Sequence, residues 1–559
     1  MANHQTIGDW MSANLFGTDG IRGKVNLAIT EDEAAIHRLL ECREISPPVF
    51  RLVGESLGGF AEFESGKKLR VVVGWDDRPA NRVLANDLTI GLNIADFEVV
   101  HIGLCATPAL HYATLFFDAA YGCMITASHN PVEDSGLKIF SQYGYKTTPQ
   151  FEQQLSRNVI SLSQQKREIA SSNGAKYAQP TISHKLAEWC QNHHPNWLSR
   201  RYQSLAELIQ RDISEAPAIY QPLLIDSSKG TGRFWLADWL SSNGIAAIET
   251  SHDAVTLNDN CGAGDLSPTQ EWTFEEAKHS SHILINQLPQ CDPGILVGAA
   301  LDGDGDRCLL IETTRRGFRV IDGDIIADTF LNCVTQLADD WTLAASIESD
   351  LSLTTKLDRY SKSVTVNETA VGDRWLTFEL CNNKLDEFIT NHSIPKVVGI
   401  EDSGHMVLAT PHPSQTATWS LVGDGAMTLV AYLLATTRLD ESRLMQRGWK
   451  LRQSVREIDR SKWDGSNELS NVVESELFQK LSTIAEVSQW RRTTISGEPN
   501  LMLITCLFAN NKLSIGVRNS GTQAKITVST RLEYGGDNSG IREVVDDICD
   551  LLAEHMVSH

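Results

Sequence analysis

No CxxC pair occurs among the eleven cysteines, and their odd number and scattered positions (42, 105, 123, 190, 261, 291, 308, 333, 381, 506 and 549) do not form a secreted-type disulfide framework. No apolar run approaches the roughly 20 residues needed to cross a bilayer, and MANHQTIGDWMSANLFGTDG has no basic stretch leading into an apolar core, so no secretory signal is expected. Cations are scarce: 49 Lys and Arg face 71 Asp and Glu, a net charge of −22. Such a surface repels nucleic acid and anionic lipid, so an anionic ligand must be met by positive groups gathered in one place. No GxGxxG follows the early strands, and no GxxxxGK[ST] or HExxH occurs. Dinucleotide, P-loop and zinc-peptidase chemistry are thereby set aside. The expectation is a cytoplasmic protein, monomer or homodimer, with neither nucleic acid nor membrane as partner.

With 42% hydrophobic residues over 559 positions, the chain is long enough for about four domains. Short apolar runs alternate with helical patterns, the mark of α/β units. Arg70–Asp76, Phe97–Leu104 and Gly122–Thr126 are expected strands, with a crossover helix over Asn81–Asp96. The pattern resumes at Leu223–Asp226, Gly244–Thr250 and Ile295–Asp302, then at Leu343–Ser349, Ser363–Glu368 and Lys396–Glu401. Closely spaced strands at Leu501–Phe508, Lys512–Val517 and Lys525–Leu532, followed by a helix near Ile541–Met556, suggest a different, α+β unit. The expected architecture is three tandem α/β domains with mixed sheets plus a C-terminal α+β domain, divided as 1–180, 181–322, 323–445 and 446–559. The polar stretch from about Gln150 to Gln221 is expected to be part helix, part loop.

Five segments carry chemistry. In AALDGDGDR, Asp302, Asp304 and Asp306 alternate with glycines that permit a tight loop, an all-oxygen set suited to a hard divalent cation. An EF-hand would need Gly and Glu where Arg307 and Thr313 stand. Arg307, beside the carboxylates, suggests that an anionic ligand meets the cation there. TASHNP places Ser128 at a strand end, followed by His129 and Asn130; a hydrolase elbow would need glycines where Thr126 and Asn130 stand. Lys138 follows in DSGLKIF as a candidate phosphate partner or proton carrier. EDSGH presents Glu401, Ser403 and His405, suited to sugar hydroxyls or an amine. RNSGTQAK has the makings of a phosphate cradle, and FGTDGIRG sets Arg22 in a glycine-flanked loop. Each segment alone is also compatible with an ordinary polar turn.

In this order, FGTDGIRG, TASHNP, DGDGDR, EDSGH and RNSGT resemble the α-D-phosphohexomutase family, and FGTDGIRGKV, VGDRW and EDSGHMVL are most like its bacterial phosphoglucosamine mutase branch. The resemblance implies four domains around a central cleft, a phosphoserine, one Mg²⁺ and a phosphorylated hexose, with hexose 1,6-bisphosphate as activator. It implies that Ser128 carries the phosphoryl group and, with Asp302, Asp304 and Asp306, holds the metal. Glu401 and Ser403 would contact sugar hydroxyls. Arg518, Ser520, Gly521 and Thr522 would hold the phosphate that is not transferred, and Arg22, His129, Lys138 and Arg307 would line the transfer site. Glucosamine 6-phosphate is the expected substrate, with Asp402 placed to attract its ammonium. Phosphomannomutase/phosphoglucomutase activity and a catalytically silent sugar-phosphate binder are the alternatives. Gln523, Ala524 and SIESDLSLTTKL (346–357) depart from the family pattern.

Overall fold

A computed structural model describes residues 14–17, 19–61, 69–165, 177–337, 339–520 and 524–557. By packing, the chain divides into two compact units. One comprises Met1–Ile326, Cys381–Lys396 and Ser403–Arg438; the other comprises Ala327–Leu380, Val397–Asp402 and Leu439–His559. No helix among the described residues is long and apolar enough to cross a membrane.

The first unit opens with a seven-stranded sheet, ordered Glu44–Ile45, Ile21–Val25, Asp134–Ser141, Tyr121–Ile125, Arg70–Trp75, Glu98–Leu104 and Ile182–Ser183. Its central strand shows why RVVVGW forms a buried parallel strand. Val71 and Val73 pack with Leu84, Leu88 and Leu92 of helix Asn81–Ile94. Val72 packs on the opposite face with Val100, Ile102 and Ala109. Alternate side chains thus serve two helical layers. Arg70–Trp75 pairs in parallel with both neighbours, whereas Tyr121–Ile125 meets Asp134–Ser141 antiparallel. TASHNP is therefore the connection at the C-terminal end of a central strand, where open α/β sheets assemble their sites.

A six-stranded sheet follows, ordered Glu271–Thr273, Gly317–Ile321, Cys308–Thr313, Leu296–Leu301, Ile219–Asp226 and Ala247–Glu249. Leu296–Leu301 and Cys308–Thr313 are antiparallel and close at the pair Leu301–Cys308, so residues 302–307 form the hairpin loop between them. Segment 323–445 is shared between the units. Met406–Pro411, Thr418–Gly423 and Ile389–Thr390 pair antiparallel in the first. Trp341–Ser346 pairs in parallel with Val364–Thr369 and Val397–Ile400 in the second.

The second unit also contains an antiparallel five-stranded sheet, Trp449–Arg456, Lys525–Leu532, Asn511–Asn519, Leu501–Phe508 and Val487–Thr493. Helices Glu468–Ile484 and Ile541–Met556 cover it through Val473, Leu477, Ile548 and Leu552, giving the expected α+β character.

The polar stretch after residue 150 is more ordered than its composition implies. Helix Pro149–Ser163 is capped by Thr148, and a single π turn, Trp189–His193, leads into helix His194–Ile209. Trp189 and Trp197 are among the largest fully buried side chains of the chain. Residues 166–176 of this stretch lie outside the described residues. All eleven cysteines are free thiols, and Cys42 is the exposed one.

Candidate active site

The first unit gathers the serine loop and the acidic loop. Ser128 Oγ donates to Asp302 Oδ2 at 2.7 Å, and both side chains are buried. One ligand oxygen from each of Asp302, Asp304 and Asp306 lies within 4.8 Å of the others. Asp304 Oδ1 and Asp306 Oδ1 are buried and carry no hydrogen bond among the described residues. Three converging carboxylates with two such oxygens, and neither sulfur nor imidazole in the trio, fit a hard divalent cation. Burial, then repulsion from Asp306 and Asp304, pushes Asp302 up to about 8.

Gly303 is required by proximity. A Cβ there would lie 2.6 Å from Asn258 Oδ1 and 2.8 Å from the Ser128 carbonyl, forcing the two loops apart. Ser128 itself has φ +53°, the left-handed region that non-glycine residues seldom adopt. Its loop is held there from below by Arg78, whose Nε lies 3.1 Å from Asp76 Oδ2. One Arg78 amino group donates to the carbonyls of Ser128 and Asn130 at 2.8 Å each, and the other donates to those of Pro131 and Asp134. Asn258 Nδ2 donates to the Ser128 and Asn130 carbonyls as well, again at 2.8 Å.

Cations surround the trio. Lys138 Nζ lies 2.7 Å from Asp304 Oδ2, 2.9 Å from Asp306 Oδ2 and 3.2 Å from Asp19 Oδ2. Burial disfavours its ammonium, but Asp19, Asp304 and Asp306 outweigh that and hold its pKa well above the ordinary lysine value. Asp19 also binds Lys146 Nζ and Arg22 at 2.6 Å each. Burial raises its pKa, yet Lys138, Lys146 and Arg22 together hold it well below the usual carboxylate range. Arg22 reaches the Ala127 carbonyl at 3.3 Å, next to Ser128. Arg307 lies 3.5 Å from His129 Nδ1; burial, then Arg307 and Arg22, lower His129 to about 3. Thr107 Oγ1 donates to Asp304 Oδ2 at 2.5 Å.

Asp19, Arg78, Thr107, Lys146 and Asn258 are not among the sequence-derived candidates. Asp19 stands inside FGTDGIRG, and Arg78 follows a strand end in GWDDR, a position that the sheet topology itself marks. Thr107, Lys146 and Asn258 carry no local signal.

EDSGH is divided between the units. Ser403 and His405 belong to the first, where His405 Nδ1 lies 3.5 Å from Asp306 Oδ1 and so flanks the acidic loop. Glu401 belongs to the second, where its Oε1 accepts from the Gly372 amide at 2.7 Å, tying it to the VGDRW segment. The placement of Asp402 for a substrate ammonium needs correction. Its carboxylate accepts from Lys450 Nζ at 2.8 Å and lies 3.8 Å from Arg452, so its charge is already answered. In the same unit Arg518 is bracketed by carboxylates, Glu498 at 2.6 Å and Glu348 at 3.6 Å. Burial opposes its charge, but Glu498 and Glu348 raise its pKa above the ordinary value. Glu348 also pairs with Arg452 at 3.0 Å, so the divergent 346–357 stretch supplies a counter-charge to these arginines. Ser520 is described; Gly521 and Thr522 lie outside the described residues, as does Gln523.

Residues 13–166 match phosphoglucomutase/phosphomannomutase, alpha/beta/alpha domain I. The phosphoglucosamine mutase of Rhodococcus jostii is 27% identical over 417 residues, covering 74% of this chain and 77% of its own. A phosphoglucomutase/phosphomannomutase family protein of Burkholderia thailandensis shares the fold with TM-score 0.60 at 16% identity, covering 97% of each chain. N-acetylphosphoglucosamine mutase of Aspergillus fumigatus, solved with GlcNAc-6P and magnesium, has TM-score 0.53 at 14% identity over 91% of this chain and 99% of that one. Another structure of the same enzyme holds glucose 1,6-bisphosphate. Residues 13–166 thus carry the matching domain, the chain is similar to phosphoglucosamine mutases over about three quarters of its length, and the serine and acidic loops among its five motifs are in contact.

Proposed function

We propose that this phosphohexomutase interconverts glucosamine 6-phosphate and glucosamine 1-phosphate, with Ser128 carrying the phosphoryl group between the two positions. The observation behind the reading is the Ser128 hydroxyl donating at 2.7 Å into a buried carboxylate trio that is ringed by cations. The kinship with phosphoglucosamine mutases supports the choice of hexose.

Phosphoryl transfer needs positioning and charge neutralisation more than new covalent chemistry. Asp302, Asp304 and Asp306, with an oxygen of phosphorylated Ser128, would hold Mg²⁺, which neutralises charge on the transferring group. Arg78 and Asn258 hold the backbone of Ser128 so that its Oγ points at the trio. Arg22, Lys138 and Arg307 set positive charge against the phosphoryl oxygens. Lys138 or His129 would take the substrate hydroxyl proton, and His405, 3.5 Å from Asp306 Oδ1, is better assigned to orienting that carboxylate than to the sugar. The free hydroxyl of the substrate attacks the Ser128 phosphoryl group, the P–O bond to Ser128 breaks, and a bisphosphorylated hexose results. After this intermediate turns over, its other phosphoryl group returns to Ser128. Hexose 1,6-bisphosphate primes the serine in the same way. Glu401 and Ser403 receive the sugar hydroxyls, and Arg518, Ser520, Gly521 and Thr522 the phosphate that stays.

The test offers glucosamine, glucose, mannose and N-acetylglucosamine 6-phosphates to the protein with Mg²⁺ and glucose 1,6-bisphosphate. Expected is a kcat/KM for the glucosamine ester at least about tenfold above the others, a difference of about 1.4 kcal/mol. Ser128→Ala should abolish conversion while sugar-phosphate binding stays measurable. Full activity in that variant, or release of inorganic phosphate in place of isomer, would overturn the reading.

A further inference from the structure

Helix His194–Ile209 lies outside all five motifs, and its role follows from what its buried face holds. His194, Trp197, Leu198, Arg201, Tyr202, Leu205 and Ile209 are buried at helical spacing. The Trp197 ring stacks on Tyr112 with centroids 5.0 Å apart and on His111 at 6.0 Å, both on helix Thr107–Phe116. The first residue of that helix, Thr107, donates from its hydroxyl to Asp304 Oδ2 at 2.5 Å and from its amide to the Asp304 carbonyl at 2.8 Å.

One turn beyond Trp197, the Arg201 guanidinium sits 4.6 Å from the Trp197 ring centroid and donates to Asp424 Oδ2 at 2.6 Å. Both members of this ion pair are nearly fully buried. Asp424 Oδ1 accepts from the amides of Ala426 and Met427 at 3.0 and 3.2 Å, capping helix Gly425–Thr436. The Gly425 amide then donates to the Gly305 carbonyl at 3.0 Å, in the middle of the acidic loop. Two neighbouring residues of one helix therefore reach the acidic loop by two routes, one ending at Asp304 and the other at Gly305. A charge-assisted bond between buried groups fixes geometry more tightly than apolar contact does.

We propose that Arg201 is a positioning residue for the cation site: through Asp424 and helix Gly425–Thr436 it sets Gly305, and with Trp197 it braces the helix that sets Asp304. The inference rests on reading Asp302, Asp304 and Asp306 as that site. It gives the chain between residues 150 and 221 a task, the alignment of oxygens it does not itself supply.

Mn²⁺ is the probe, titrated into the full-length protein and followed by the EPR signal of the free ion, alongside steady-state kinetics and thermal unfolding. Arg201→Met should weaken Mn²⁺ binding by about tenfold, the size of effect seen when a group orienting a metal ligand is removed. The KM for sugar phosphate should stay within about twofold of wild type, since binding groups are untouched. Arg201→Met with Asp424→Asn leaves no uncompensated carboxylate and keeps an Asn cap, so it should fold and show the same loss. Arg201→Lys, which restores a cation, should bind Mn²⁺ more tightly than Arg201→Met. A folded double variant with wild-type Mn²⁺ affinity overturns the proposal. Wild-type protein that binds no Mn²⁺, or Asp302→Asn with Asp304→Asn that binds it unchanged, overturns the cation-site reading instead.

Discussion

Arg78 shows how much one side chain can decide. Four carbonyls of the serine loop converge on its guanidinium, and Asp76 answers its charge from beneath. A lysine ammonium cannot serve four acceptors in that planar fork. Arg78→Lys is expected to lower kcat by about 100-fold through misplacement of Ser128, while the KM for sugar phosphate stays within about threefold; steady-state kinetics checks both. Equal loss in binding would shift the role of Arg78 from positioning to general folding. At this scale the sequence is legible where a residue type is rare in its setting: Ser128 between Ala and His, or three aspartates spaced by glycine. Arg78 is harder to see, since its partners are backbone carbonyls 50 or more positions away, which no side-chain pattern announces.

Elements carry the next level of information. The strand–loop pairs of the first two sheets follow directly from apolar runs ending in polar turns, so both loops of the site are visible before folding is considered. Helix His194–Ile209 is not, because its buried stripe includes His194 and Arg201, polar residues that break the apolar period. The segment 346–357 diverges from the family and yields Glu348, which faces Arg518 and Arg452. If Arg518 holds the substrate phosphate as proposed, that phosphate competes with this carboxylate. Glu348→Gln is therefore expected to lower the KM for sugar phosphate by about fivefold, roughly 1 kcal/mol of relieved competition, as steady-state kinetics would register. An unchanged or raised KM would remove Glu348 from the phosphate site. Asp402 illustrates the limit of adjacency: beside Glu401 in sequence, it spends its charge on Lys450, from a strand 48 positions on.

At the scale of the whole molecule, buried imidazoles give the stability of the first unit an acid-sensitive component. His101 is buried, with Nε2 2.6 Å from Thr89 Oγ1, and burial lowers it to about 4; burial, with a smaller contribution from Arg201, lowers His111 to about 3. Below the ordinary histidine pKa of about 6.5 the unfolded chain takes up protons that these folded imidazoles refuse, so stability falls as the pH drops. Above pH 6.5 the contribution is complete; between pH 6.5 and 4, His101 alone should remove about 3 kcal/mol. Asp302, pushed up to about 8, acts in the opposite sense, so the prediction is a difference between proteins: from pH 7 to 5, calorimetric melts should show His101→Gln gaining stability relative to wild type. A slope identical in that variant would clear His101 of the effect.

The distribution of thiols has a practical side. Eight of the eleven are sealed in packed interiors and two are half covered, leaving Cys42, at the end of helix Asp32–Cys42, open to reagents. A dye-maleimide supplied at one equivalent should therefore mark a single known point on the native chain without engineered cysteine replacements. Fluorescence from that point would then report on the neighbourhood of the first sheet in an otherwise unaltered enzyme during turnover.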